Sequence, residues 1–208
     1  MPRRTPSPSV AESSMSSMSS MWTFIRAFMR DRQRIGTVAA TSTSAARHMA
    51  RLGDVAHSRR VVEFGPGTGA ITKRILEALP ADGRLWAYEV HEPFVDHLRA
   101  SFADPRLTVL AESAEHIRDL RRVEAPDGFD AIICSIPFSL LPPPVTSGIL
   151  AAAADSLRPG GKLVALQYHP TYLRPIMREH FREVHGVWHL RNIPPTLLLT
   201  GLNPGSTN

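Results

Sequence analysis

Apolar positions along this 208-residue chain recur with two periods. Residues 60–64, 85–89, 107–110, 129–134, 162–168, 184–190 and 196–200 are short apolar or alternating runs, the pattern of buried strands. Helical spacing fills the gaps. Ile71, Ile75, Leu76 and Leu79 follow the first run, and Phe94, Val95 and Leu98 follow the second. Residues 145–157 and 172–181 also read as helices, the first preceded by a loop over 140–144 and closed by Pro159-Gly160-Gly161. A further helix carrying Ala45, Met49 and Leu52 precedes the first strand, with Ser42 or Ser44 able to cap it. Strands alternating with helices imply βαβ units. The expected fold is α/β and Rossmann-like: a mostly parallel seven-stranded sheet, helices on both faces, and 184–190 with 196–200 as a closing pair.

The amino end has a pattern of its own. At about 100° per residue, Trp22, Phe24, Ile25, Phe28 and Met29 share one helical face, and Arg26, Arg30 and Arg34 share the other. Arg32 lands near the apolar side. Such a helix can lie in a membrane interface; the alternative is a helix packed on the protein's own core. Residues 1–20 are rich in Ser, Pro and Met and are read as a disordered tail. The expected organisation is a tail over 1–20, an amphipathic helix over 21–35, one catalytic domain over 36–202 and a fraying end over 203–208.

Candidate chemistry centres on Glu63-Phe64-Gly65-Pro66-Gly67-Thr68-Gly69, between the first strand and its helix. Glycines there let a backbone approach a ligand closely. Ligands of open α/β sheets bind at the carboxyl edge of the strands. The dinucleotide fingerprint is G-x-G-x-x-G, whereas this run is G-x-G-x-G with an acid two residues before it. That carboxylate would repel a pyrophosphate and suit a cationic amino-acid group. A second acid, Glu89, ends the next strand, where such folds hold a ribose hydroxyl. The alternative is a tight turn without a ligand.

Charge and cysteine count narrow the class. The net charge of +5 favours an anionic partner, either nucleic acid or an acidic membrane surface. Cys134 is the only cysteine, so no internal disulfide or zinc-type spacing exists, and a reducing compartment is expected. No metal site is expected.

The glycine run and the following acid resemble motif I and the second acidic position of class I S-adenosylmethionine (SAM) methyltransferases. Over residues 22–201 the chain resembles the bacterial phospholipid N-methyltransferases. That likeness rests on the aromatic, arginine-bearing first helix running into Arg34-Ile35-Gly36-Thr37-Val38-Ala39, on motif I and Glu89, and on Ser135-Ile136-Pro137 and Asn192-Ile193-Pro194-Pro195. Ala40-Thr41-Ser42 departs from the Pro-Ser-Ser run common in that family. The resemblance implies stepwise methylation of phosphatidylethanolamine toward phosphatidylcholine, with S-adenosylhomocysteine as by-product. Glu63 with the backbone of Gly65 and Gly67 would hold the methionine end, and Glu89 the ribose. Phe64, Pro66, Gly69, Val90, Ser135 and Ile136 would complete the cofactor contacts. Glu112 and Ser113 would lie near the adenine, although Glu112 also reads as an acid at a helix start.

A neutral amine must attack the sulfonium methyl in line, and an alkylammonium titrates near ~10, so a proton exit is needed. Tyr168 and His169 are the catalytic candidates, with a loop histidine of no role as the alternative for His169. Substrate or membrane contacts are expected from Trp22, Phe24, Ile25, Arg26, Phe28, Arg30, Arg34, Pro137, Phe138 and Arg191. The expected partners are an anionic membrane surface and an amino phospholipid, with no nucleic acid, for a monomer peripheral on the inner face of the cytoplasmic membrane. The competing reading is an RNA adenine N-methyltransferase, because Ser135-Ile136-Pro137-Phe138 resembles the Asn-Leu-Pro-Tyr motif that holds a flipped base. Serine in place of asparagine removes the amide that would read the base. A small-molecule methyltransferase and a non-catalytic binding protein complete the alternatives.

Overall fold

The computed structural model describes residues 41–192 and 194–203. The expected tail, the amphipathic helix and its residues Trp22, Phe24, Ile25, Arg26, Phe28, Arg30 and Arg34 lie outside the described residues, as does Ile193.

Seven strands, β1 (Arg60–Phe64), β2 (Arg84–Tyr88), β3 (Leu107–Leu110), β4 (Phe129–Cys134), β5 (Leu157–Gln167), β6 (Glu183–His189) and β7 (Thr196–Leu202), form one sheet in the order β3-β2-β1-β4-β5-β7-β6. Strands β1 to β5 pair in parallel, and β7 inserts antiparallel between β5 and β6. The order reverses between β1 and β4, so a crevice opens there at the carboxyl edge. Among the described residues six α-helices accompany the sheet: α1 (Thr43–Leu52), α2 (Ala70–Ala78), α3 (Glu92–Ser101), α4 (Ile117–Glu124), α5 (Pro143–Ser156) and α6 (Leu173–His180).

One core joins Met49 of α1 and Ile71 and Ile75 of α2 to Val61, Ile133, Leu166 and Leu198 of the sheet, all buried. Phe102, just after α3, packs against the same cluster. On the other face, α6 brings Met177 and Phe181 against Gly201 of β7. Ser42, not Ser44, caps α1: its hydroxyl accepts from the Ala45 N–H at 3.2 Å.

Three local expectations are corrected. Helix α5 starts at Pro143 rather than Val145, because two prolines occupy its first turn, where no N–H is needed. Strand β5 starts at Leu157, so the Pro-Gly-Gly run lies inside it at an irregularity of the β4–β5 pairing. Phe94 is half-buried, while Val95 and Leu98 carry the buried face of α3. No described helix is long and apolar enough to cross a membrane.

Candidate active site

The sequence Val61-Val62-Glu63-Phe64 is buried throughout and delivers the glycine loop to the carboxyl edge of β1. Gly65, Gly67 and Gly69 all have positive φ, at 71°, 56° and 81°, which L side chains adopt only with strain. Two of them do different jobs. A Cβ on Gly67 would meet nothing within 4 Å, so the loop faces open space there. A Cβ on Gly69 would come within 2.5 Å of Phe102 and 3.1 Å of Leu98. Gly67 therefore borders the room for a ligand, and Gly69 is taken up by packing between α2 and α3. Pro66 is buried, and its carbonyl accepts from the Gly69 N–H at 3.0 Å.

The end of β4 clamps the loop from the other side. The Ser135 N–H donates to the Phe64 carbonyl at 3.0 Å, and its hydroxyl donates to the Gly65 carbonyl at 2.7 Å. Ile136 packs over Gly65, 3.2 Å from where a Cβ would stand. Phe64 itself is buried, edge-on to Tyr88 at 5.8 Å between ring centres.

Both motif acids are buried. Glu63 accepts from the Thr72 hydroxyl at 2.6 Å through Oε2, which ties β1 to α2. Its Oε1 is buried with no hydrogen-bond partner among the described residues. Burial pushes the Glu63 carboxyl up to about 8, and the nearby charge of Glu89 adds to the effect. Glu89 turns inward: Oε2 accepts from the Gly67 N–H at 3.0 Å, and Oε1 from the Val90 and His91 N–H groups at 2.9 Å. Burial raises its pKa as well, against the pull of those three N–H donors. A carboxylate has about four acceptor positions, so Glu89 retains one for a ribose hydroxyl. Two buried acids, one with an orphaned oxygen, beside a glycine that opens on free space fit a cationic amino-acid ligand. An ammonium at Glu63 would satisfy Oε1 and relieve the repulsion between the acids.

The remaining expected residues scatter. Ser113 is buried and caps a 3₁₀ turn, accepting from the Glu115 N–H at 3.3 Å. Glu112 is exposed beside His116, at 3.7 Å, just after β3. Pro137 is half-buried. Phe138 is fully buried at the start of a 3₁₀ turn, and Leu140, two residues on, is exposed. Tyr168, half-buried, packs against the core under α1, and His169 is exposed just beyond it at the end of β5. Arg191 is exposed at the mouth of a cavity of about 810 Å³ between α1 and α2.

Sequence reading missed a polar cluster at the β5–β7 end of the same edge. The Ser42 N–H donates to Asn192 Oδ1 at 2.9 Å, and His48 Nδ1 lies 3.2 Å from His189 Nδ1. His189 Nε2 and Thr196 Oγ1 are buried without a partner among the described residues. His189 and Thr196 stand opposite each other across β6 and β7. The sequence signal nearest to it is Asn192 in the connection between the two strands and Thr196 at the start of the second.

Residues 61–161 match the family model described as a methyltransferase domain. That match, over β1 to the middle of β5, supports a class I SAM-dependent methyltransferase domain in this stretch, and the fold agrees with it. The chain is 27% identical over 181 residues to the ornithine lipid N-methyltransferase of Singulisphaera acidiphila, covering 86% of this chain and 93% of that protein. The fold is similar to that of the N-methyltransferase NodS of Bradyrhizobium japonicum, with a TM-score of 0.62, 17% identity, and 77% of this chain and 95% of that one covered. The O-methyltransferase TomG of Streptomyces achromogenes, solved with SAM, gives a TM-score of 0.60 at 16% identity, over 83% of this chain and 86% of that one. SAM, when bound, supplies an electrophilic methyl on a sulfonium; Glu63, the Gly65–Gly67 backbone and Glu89 would be the groups of this chain to hold it.

Proposed function

We propose that the protein N-methylates the primary amine of an amino lipid at a membrane surface. Phosphatidylethanolamine, carried on toward phosphatidylcholine, and ornithine lipid are the two headgroups to compare. The observation that carries this reading is the end-to-end likeness to a lipid N-methyltransferase, over 93% of that protein. Basic net charge agrees with an anionic inner membrane face as the place of work. The burial of Phe138 favours this reading over an RNA adenine methyltransferase, which needs a ring free to stack on a flipped base.

Holding the amine in line with the methyl supplies most of the acceleration. Tyr168 and His169 follow β5 at its carboxyl end and are the residues we assign to taking up the proton that the amine releases. The test is transfer of a labelled methyl group from SAM to vesicles containing phosphatidylethanolamine or ornithine lipid, with ribosomal RNA as the competing acceptor. Label in the lipid amine supports the reading, and the preferred vesicle names the headgroup. Label in RNA alone would overturn it.

A further inference from the structure

Exposed apolar side chains are unevenly spread on this molecule. Among the described residues, the exposed large hydrophobics are Val123, Leu140, Val187, Trp188 and Leu190. Four of these five lie at or near the carboxyl ends of β4 and β6, on the edge of the sheet that carries the site. Three fall within four residues at the end of β6, with Trp188 half exposed and Leu190 73% exposed. Single exposed hydrophobics need no explanation, but a cluster on an edge strand does, because it invites association.

The charges beside this cluster are cationic. Arg191 is exposed in the turn after β6, Arg174 in the first turn of α6, and Arg47 in the second turn of α1. None of the three has a carboxylate within ion-pair distance among the described residues. In the cavity that Arg191 and Arg47 border, the two acids are already engaged. Asp54 pairs with His57 at 2.7 Å, and Glu77 with Arg74 at 2.7 Å. The exposed acids of this edge, Glu92 and Glu112, belong to the β2–β3 side. Trp and Leu next to unpaired arginines is the composition of a membrane-interface contact, where an aromatic ring sits at headgroup level and cations meet anionic lipid.

We propose that the corner made by residues 187–191 with Arg47 and Arg174 is a membrane-contact surface of the folded domain itself. It seats on an anionic bilayer so that the carboxyl edge of the sheet faces the lipid. This rests on the amino-lipid reading above. The surface consists of described residues only and sets which edge of the domain turns toward the headgroups. An amine presented from the bilayer then meets the site without the lipid leaving the membrane.

The test uses the full chain with Trp22→Phe, which leaves Trp188 and the buried Trp86 as the tryptophans. Vesicles contain phosphatidylglycerol and phosphatidylethanolamine, with bromine on the acyl chains of one preparation. Trp188 emission should shift to the blue and be quenched by the brominated lipid, and Trp188→Phe should abolish the quenching. Leu190→Asp with Arg191→Glu should lower vesicle partitioning about tenfold, as expected for two surface groups each worth roughly a few-fold. Unquenched Trp188 on protein that floats with vesicles overturns the proposal and leaves the amino-lipid reading standing. Quenched Trp188 without methyl transfer to lipid upholds the surface and sinks that reading. A Trp188 response to single-stranded RNA and none to vesicles assigns the corner to nucleic acid and overturns the proposal.

Discussion

On the β1–β2 side of the sheet edge, polar contacts join residues close in the chain: Glu63 to Thr72, nine residues apart, and Gly67 to Glu89, twenty-two apart. On the β5–β7 side they join distant ones: Ser42 to Asn192, 150 apart, and His48 to His189, 141 apart. The cofactor half is one supersecondary unit whose geometry follows from its own glycines. The acceptor half exists only when α1, β6 and β7 are brought together. The first half must suit one fixed ligand. The second is free to vary with the substrate, and two of its buried polar atoms, His189 Nε2 and Thr196 Oγ1, have no partner among the described residues.

The sharpest way to break this comparison is to treat two glycines of one loop alike. Gly67→Val places a branched side chain in open space at positive φ. Strain of about 1–3 kcal/mol and a blocked ligand surface follow, so calorimetric SAM affinity should fall by two orders of magnitude or more while the fold survives. Gly69→Ala instead drives a methyl into Phe102. Overpacking costs about 1–3 kcal/mol, added to the strain of positive φ, so it should lower the melting temperature by several degrees. Unchanged SAM affinity in Gly67→Val would remove the loop from the cofactor site.

This contrast also explains what was legible in the sequence. Glycine spacing, β-branched runs and Ser42 report local geometry, so the strands, the loop and the acids at the two strand ends could be read in order. Phe138 could not, because a ring after Ile-Pro is equally suited to a pocket wall and to a core, and only the packing of α5 decides it. The His48–His189 pair was invisible for a stronger reason: nothing near either residue marks the other. The inward turn of Glu89 was hidden as well, since its partners are backbone N–H groups that every residue except proline carries.

Protonation of Glu63 sharpens the cofactor side. Its folded pKa, about 8, is raised above the ordinary carboxylate value. Its contribution to stability is therefore fully present below about pH 4.5 and is lost as pH rises through about 8. Without SAM, the melting temperature should fall by several degrees between pH 5 and pH 8.5. Glu63→Gln should flatten that slope, leaving the smaller part due to Glu89, whose pKa is raised in the same direction. With saturating SAM, the ammonium favours the ionised form and the slope should shrink in the wild type. A wild-type slope identical to that of Glu63→Gln would detach this carboxyl from the effect.

On the acceptor side, Asn192→Ala strands the Ser42 N–H beneath a side chain that is 1% exposed. Leaving such a donor unpaired costs roughly 1–3 kcal/mol. Denaturant unfolding should show that loss with SAM affinity unchanged, because Asn192 bonds to Ser42 and to the Pro194 carbonyl and not to the glycine loop. Loss of SAM binding in this variant would mean that the two halves of the edge are not independent.

The smallest effect distinguishes idle polar atoms from poised ones. Thr196 is fully buried, and its hydroxyl has no partner among the described residues. Thr196→Val keeps the shape and removes the stranded oxygen, so stability should hold or rise by about 0.5–1 kcal/mol. If the hydroxyl serves a bound headgroup, the same change should raise the KM for the lipid a few-fold, with kcat and SAM affinity unaltered. A hydrogen bond used equally in ground and transition states has that signature. A stabilised variant with an unchanged KM would make Thr196 a tolerated defect of the β6–β7 pair. The headgroup would then be read elsewhere on the edge, by His48, His189 or the exposed arginines beside them.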